Sequence, residues 1–270
     1  MAPTPPVDLS LHPLPEKGAP IQCVEILGGN VSRTEGLILK GLEVLLVAKP
    51  AGTGGGGDIY CIHSCGEGAL AKFVLLDLTG HGQERDAFAQ AVHGLLHRFD
   101  DETRPAQLLD HLNQQYNDLA LRAVYATAIS AVYEPGRGEV RFANAGQPRP
   151  FYWSAGARQW GIVRPAEDSD CGLPLGVRDR ACYTEESIVL GVGDALLLSS
   201  DGLTESRNQG DEFLEPEGVL RLLEESTAAM AQGSTLLDWG SRFFRGVTKF
   251  RRGKKIEDDL TLLWLRRIPE

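Results

Sequence analysis

Long apolar runs are missing from this chain: none approaches the roughly 20 residues of a membrane-spanning helix, so no such helix is expected. Positive charge is also scarce. The 27 Lys and Arg residues stand against 37 Asp and Glu, a net charge of −10, which argues against nucleic acid or anionic membrane as the main partner, because both attract basic surfaces. The N-terminus lacks a basic start followed by an apolar stretch, so a secretory signal is not expected. Cysteine is limited to Cys23, Cys61, Cys65, Cys171 and Cys182, an odd count with no CxxC pair. Reduced, mostly buried thiols are the expectation. Together these absences favour the cytoplasm.

Proline, by contrast, is concentrated at the start, with six in residues 1–20. That segment reads as an extended or disordered leader. The chain then carries no internal repeat and no linker that would divide it, so residues 21–270 read as one domain. A hydrophobic content of 42% is enough for a sizeable core.

Periodicity predicts strands over Glu43–Ala48, Asp58–His63, Lys72–Leu76, Tyr125–Tyr133, Val140–Ala143, Phe151–Trp153, Ser187–Leu190, Ala195–Ser199 and Leu260–Leu265. The turn Glu134-Pro135-Gly136-Arg137-Gly138 marks a hairpin, and the short links elsewhere point to antiparallel pairing, because a parallel crossover needs a dozen or more residues. Four amphipathic helices are predicted. The first carries Phe88, Val92, Leu95, Leu96 and Phe99 on one face. The second carries Leu109, Leu112, Tyr116 and Leu119, with Pro105 in its first turn and Thr103 as its cap. The third spans about Glu217–Glu225, and the fourth starts near Ser234. Two helices, a block of strands, two more helices and a last strand make an α+β layout, not a regular βα alternation.

Four aspartates sit where an apolar strand meets a tight turn: Asp58 after a Gly-rich stretch, Asp77 in VLLD-LTGHG, Asp201 in LLLSSD-GL and Asp258 in IEDD-LTLLWL. Carboxylates held at strand ends and converging beyond the sheet would bind hard divalent cations such as Mg²⁺ or Mn²⁺. Each alone is ordinary turn chemistry; the set is informative because one local loop cannot surround two ions. Two ions about 3.5–4 Å apart lower the pKa of a bridging water and neutralise a phosphoryl group under attack. The basic run Arg251-Arg252-Gly253-Lys254-Lys255 precedes Asp258 and offers either local help for an anion or a solvated loop.

The segments Gly56-Gly57-Asp58, Asp77–Gly82 (DLTGHG), Asn144–Pro148 (NAGQP), Leu173–Gly176 (LPLG), Ser200–Ser206 (SDGLTES) and Asp258–Leu263 (DDLTLL) follow one another in this order. In order and spacing they resemble the SpoIIE-type branch of the metal-dependent (PPM, type 2C) serine/threonine protein phosphatases, over residues 40–267. The resemblance implies a β-sandwich of two antiparallel sheets flanked by helix pairs, in α-β-β-α layers, with two Mn²⁺ or Mg²⁺ ions at one edge. It implies that Asp77 bridges both ions, that Leu78 offers its backbone carbonyl, that Asp201 and Asp258 bind the first ion, and that Asp58 holds the second directly or through water. Asp77 and Asp58 thereby serve water activation. Asp259, Gly202 and Asn144 are supporting residues, Asn144 and Gly146 lying in a loop near the site. The implied reaction is hydrolysis of a phosphoserine or phosphothreonine monoester by metal-activated water in bacterial partner switching. Its substrate would be a phosphorylated protein of the anti-sigma-factor-antagonist type, with a separate activator protein as a possible further partner.

The chain departs from the family pattern at three places. Gln147 stands where many relatives have histidine in NAGHP, and Gln83-Glu84-Arg85-Asp86 replaces small residues after DLTGHG. Thr79 occupies the position at which eukaryotic members carry a histidine that is a candidate general acid, leaving the general acid unassigned, with His81 expected to be structural. A cysteine-based mechanism fails at Cys65, because position 71 is Ala71 where an arginine is needed. No Gly-Lys-Ser/Thr ends the Gly-rich stretch, so it is no P-loop, and no Glu-Phe follows Gly-Gly-Asp as a cyclase loop would require. Two other readings stand beside the phosphatase: a non-catalytic scaffold that kept the fold, whose mark would be lost metal ligands, and a small-molecule phosphoesterase, since surrounding loops choose the substrate.

Overall fold

The computed structural model describes residues 24–29, 31–51, 57–65, 68–79, 91–96, 98, 102–118, 125–164, 172–228, 230 and 233–270. The proline-rich leader, Gly52 to Gly56 and the run from Gly80 to Gln90, with His81 and the start of the first expected helix, lie outside them.

Among the described residues, twelve strands form two six-stranded sheets. The first has the order β1 (Val24–Gly28), β4 (Asp58–Cys65), β5 (Leu70–Leu78), β6 (Ala126–Glu134), β7 (Glu139–Ala145), β10 (Glu186–Val189). The second runs β2 (Arg33–Leu39), β3 (Leu42–Lys49), β12 (Leu260–Arg267), β11 (Ala195–Ser199), β8 (Phe151–Ser154), β9 (Gln159–Ile162). Every neighbouring pair is antiparallel, as expected.

The central strands are apolar on both faces because both are covered. In β3, Val44, Leu46 and Ala48 join Phe73 and Leu75 of β5 in the core between the sheets. The alternate residues Leu45 and Val47 point outward beneath helices α2 (Glu215–Ala228) and α3 (Leu236–Arg251). Val74 and Leu76 of β5 do the same beneath α1 (Pro105–Asp118) and the helical residues 91–96, whose Val92, Leu95 and Leu96 are buried. Continuous runs such as VLLVA and FVLL are the mark of strands between two apolar layers. The layers are therefore helices, sheet, sheet, helices.

Helix α3 begins with a capping box: the Thr235 hydroxyl accepts from the Asp238 N–H at 3.2 Å, and the Asp238 carboxylate accepts from the Thr235 N–H at 2.9 Å. The first-turn N–H of Leu236 is donated to buried Glu43 at 2.9 Å, and Arg266 of β12 pairs with the same carboxylate. This buried charge cluster fixes α3 against β3 and β12.

Some expectations need correction. The Leu108 N–H bonds to the Arg104 carbonyl at 3.1 Å, which makes Arg104 the residue capping α1, so Thr103 lies outside the cap. Cys182 is disulfide-bonded and exposed, whereas Cys61 is a half-buried thiol outside any disulfide. Five reduced thiols was therefore wrong, because pairing depends on closeness in space, which spacing along the chain does not reveal. No helix among the described residues is long and apolar enough to cross a membrane.

Candidate metal centre

Asp58 opens β4 and Asp77 nearly closes β5, and the register sets them directly opposite each other. Directly paired residues of antiparallel strands share a face. Here that face is the inner one, since Asp58 is two residues from Tyr60 and Asp77 two from Leu75, both in the core between the sheets. Two carboxylates thus meet at the end of the sandwich where the apolar filling stops. The opposite sheet supplies the rest: Ser200 and Asp201 follow β11, and Asp258 and Asp259 precede β12.

Ser200 joins the two sheets. Its hydroxyl accepts from the Thr261 N–H at 2.9 Å and donates to Asp58 Oδ2 at 2.8 Å. Asp58 is only 5% exposed, and its other oxygen, Oδ1, is buried with no hydrogen-bond partner among the described residues. A buried carboxylate oxygen left in this way is costly unless something positive meets it.

Asp259 has a different task. Its Oδ1 accepts from the Ala51 N–H at 2.7 Å, while Oδ2 accepts from the N–H groups of Gly57 and Asp58. It therefore ties down both ends of the Gly-rich connection between β3 and β4. Exposed Asp258 accepts the Asp259 N–H at 2.8 Å. Gly202 is required on steric grounds, because a Cβ there would overlap the Asp259 carbonyl oxygen. Gly57 packs against the Leu78 carbonyl and the Asp77 carboxylate, so even a methyl group would crowd both.

The charges feel one another. Burial pushes Asp58 well above the usual carboxylate range, with the Asp77 charge next in size, against hydrogen bonds from Thr261 and Ser200. Burial, followed by the charges of Asp201, Asp258, Asp259 and Glu205, raises Asp77 to about 7. Burial, then Asp258 and Glu205, raises Asp201 to about 6. Among the described residues no three Asp, Glu, His or Cys side chains already form a closed metal-holding group. The aspartates instead stand near enough to act on one another as mutually repelling charges. An all-oxygen donor set with raised proton affinity and an orphaned buried oxygen suits a hard divalent cation.

Other motif residues support rather than join this centre. Asn144 closes the NAGQ turn, donating from Nδ2 to the Gln147 carbonyl at 2.9 Å and accepting the Gln147 N–H at 2.8 Å. Gly146 has φ +85°, and a Cβ there would press on Pro174 of the LPLG segment. That segment is pinned by paired bonds between Leu175 and Ala126 and by Asn113 of α1, which accepts from the Gly176 N–H at 2.9 Å. Thr79 is fully engaged with Tyr125, its hydroxyl donating to the carbonyl at 2.6 Å and accepting the N–H at 3.0 Å. In the basic run, Lys254 pairs with Asp211 and Glu257, and Arg251 bonds the Lys254 carbonyl. Those two cations close the end of α3. Sequence reasoning assigned no role to Ser200 or Glu205, although both lie in the SDGLTES segment that it singled out.

The model of the family described as Stage II sporulation protein E matches residues 67–268. This chain belongs to the SpoIIE family. Among curated relatives, Phosphoserine phosphatase RsbU of Bacillus subtilis is 28% identical over 163 residues, 60% of this SpoIIE-family chain and 45% of RsbU. Protein IcfG of Synechocystis is 26% identical over 129 residues, 48% of the chain and 18% of IcfG. The chain thus spans less than half the length of either relative. Among solved structures, the RsbU and RsbW domains of a Mycobacterium tuberculosis protein superpose with a TM-score of 0.69 at 22% identity, covering 85% of this chain and 61% of that one. The SiaA-PP2C domain of Pseudomonas aeruginosa gives 0.66 at 17% identity, covering 83% and 84%. These neighbours share the expected fold of two antiparallel sheets between helices.

Proposed function

We propose that this chain is a metal-dependent phosphoserine/phosphothreonine protein phosphatase. The observation that carries the reading is the pairing of Asp58 with Asp77 on one sheet, with Asp201 and Asp258 of the other close enough for their charges to act on Asp77, and a buried Asp58 oxygen that lacks a partner among the described residues. Asp77, Asp201 and Asp258 would hold one of two Mn²⁺ or Mg²⁺ ions, Asp77 and Asp58 would serve the second, and the Leu78 backbone carbonyl would be a further ligand. When bound, such ions supply a water of lowered pKa and neutralise charge on a phosphoryl group.

The chain's own residues set the conditions. Asp77 and Asp201, raised to about 7 and about 6, must be free of protons to act as ligands. Ser200 holds one Asp58 oxygen, while the other is buried with no partner among the described residues. Asp259 secures the backbone that carries Asp58. Thr79 is committed to Tyr125 and does not serve as the proton donor.

Family membership and the RsbU relative support a substrate of the anti-sigma-factor-antagonist type, in bacterial partner switching under a separate activator. We also read residues 21–270 as one domain, supported by the pairing of early β3 with late β12. The test compares phosphate release in Mn²⁺ from a phosphoseryl antagonist protein and from small phosphomonoesters. Faster turnover of the phosphoprotein supports the reading; a preference for the small esters selects a small-molecule phosphoesterase instead. Folded protein that binds Mn²⁺ but hydrolyses neither, even with its activator added, would leave a scaffold.

A further inference from the structure

Beside Asp201 a cleft of about 630 Å³ opens between the NAGQP turn and the start of α2. Two features of its lining point to an occupant. The first is Gln147. It is 5% exposed, and neither its Oε1 nor its Nε2 has a hydrogen-bond partner among the described residues. Buried carboxamides are normally satisfied. This one is held where it is by its own backbone, fixed on both sides by Asn144. A carboxamide offers a donor beside an acceptor, the complement of a peptide N–H and C=O.

The second feature is charge. Asp201, Glu205, Glu215 and Glu217 all line the cleft. The cation in the same lining, Arg149, is already held by Glu186 through two bonds of 2.7 and 2.6 Å. Phe213, 38% exposed, also lines the cleft, with the Arg207 guanidinium 4.2 Å from its ring centroid. The lining is therefore acidic.

We propose that this cleft seats the stretch of substrate chain next to the phosphorylated residue. Gln147 pairs with a substrate peptide group, and Glu205, Glu215 and Glu217 select Lys or Arg side chains flanking the phosphoserine. This rests on the phosphatase reading and adds to it the class of sequence that the enzyme prefers. Phosphate recognition and sequence recognition are separated: the aspartate centre takes the phosphoryl group, and the acidic cleft takes the basic neighbours.

The experiment uses two phosphoserine peptides, one with Lys and Arg beside the phosphoserine and one with Glu, and p-nitrophenyl phosphate as a probe too small to reach the cleft. For the wild type, kcat/KM for the basic peptide exceeds that for the acidic one by about tenfold or more. In Gln147→Leu, the ratio of basic-peptide to p-nitrophenyl phosphate kcat/KM falls by about tenfold, mainly through KM. In Glu217→Lys, at an exposed position that should not disturb folding, the preference for the basic peptide shrinks or reverses. Equal use of the two peptides by the wild type, or an unchanged ratio in Gln147→Leu, overturns the proposal. Fluorescence anisotropy with the unphosphorylated peptides reads the cleft apart from turnover. If neither the peptides nor p-nitrophenyl phosphate is hydrolysed, even with the activator added, the phosphatase reading fails; tighter binding of the basic peptide, lost in Glu217→Lys, would still support the cleft, and indifference to peptide charge would overturn it.

Discussion

Ser200, at the end of β11, donates a 2.8 Å hydrogen bond to Asp58, at the start of β4, across 142 residues and from one sheet to the other. The bond satisfies one carboxylate oxygen, Oδ2. Ser200→Ala leaves that oxygen buried and unpaired, and is expected to cost about 1–3 kcal/mol in urea unfolding. It should also weaken Mn²⁺ binding measured by calorimetry. Unchanged stability and unchanged Mn²⁺ affinity would show that the bond positions nothing.

Gly202→Ala should be among the most damaging small substitutions in the chain. The added methyl overlaps the Asp259 carbonyl oxygen, and backbone on both sides must move. Destabilisation of about 1–3 kcal/mol is expected, on the scale of core overpacking, with a parallel loss of activity because the displaced segment carries Asp258 and Asp259. A thermal melt matching the wild type would contradict the contact.

The pH dependence follows from Asp77, raised from an ordinary 3.8 to about 7, with Asp201 raised to about 6. Between about pH 4 and pH 7 the folded chain keeps protons that the unfolded chain releases, so these groups make the fold less stable as pH rises through that window. With EDTA present, Asp77→Asn removes the penalty. A gain on the order of 2 kcal/mol at pH 7.5 is expected, shrinking to nothing near pH 4. A loss at pH 7.5, or an equal gain at both pH values, would contradict the raised proton affinity that burial and the neighbouring charges give Asp77.

Gln147→Leu is expected to stabilise the free protein by about 1–2 kcal/mol while impairing peptide turnover. Its two polar atoms are buried without partners among the described residues, and an apolar side chain of similar size removes that cost. A lower melting temperature would mean that the carboxamide is satisfied in the free protein.

Much of this was legible in the sequence because strand ends are easily marked. Asp58, Asp77, Asp201 and Asp258 each adjoin an apolar run that could only be a buried strand, and their neighbours Gly57 and Gly202 mark close approach. The antiparallel α+β layout was legible for the same reason. Strands β1, β2 and β9 were not anticipated. Sequences such as RTEGLIL and QWGI lack clean alternation, and both are edge strands, paired on one side only. The pairing of Asp58 with Asp77 is a matter of register between strands, which no local pattern specifies. Asp259 ranked behind Asp258 as a candidate because adjacent aspartates look alike in sequence; only the fold shows that one faces solvent and the other receives three backbone N–H groups. The basic run before Asp258 looked available for an anion, yet Lys254 is held by Asp211 and Glu257.

Asp77 is the carboxylate on which the site converges, so the most direct measurement is Mn²⁺-dependent phosphate release from one phosphoserine substrate by the wild type, the wild type in EDTA, and Asp77→Asn. Activity that requires Mn²⁺, disappears in EDTA and falls by more than about a hundredfold in the variant is the expected result. Activity that survives EDTA, or that Asp77→Asn leaves intact, would contradict a metal-dependent centre built on Asp77.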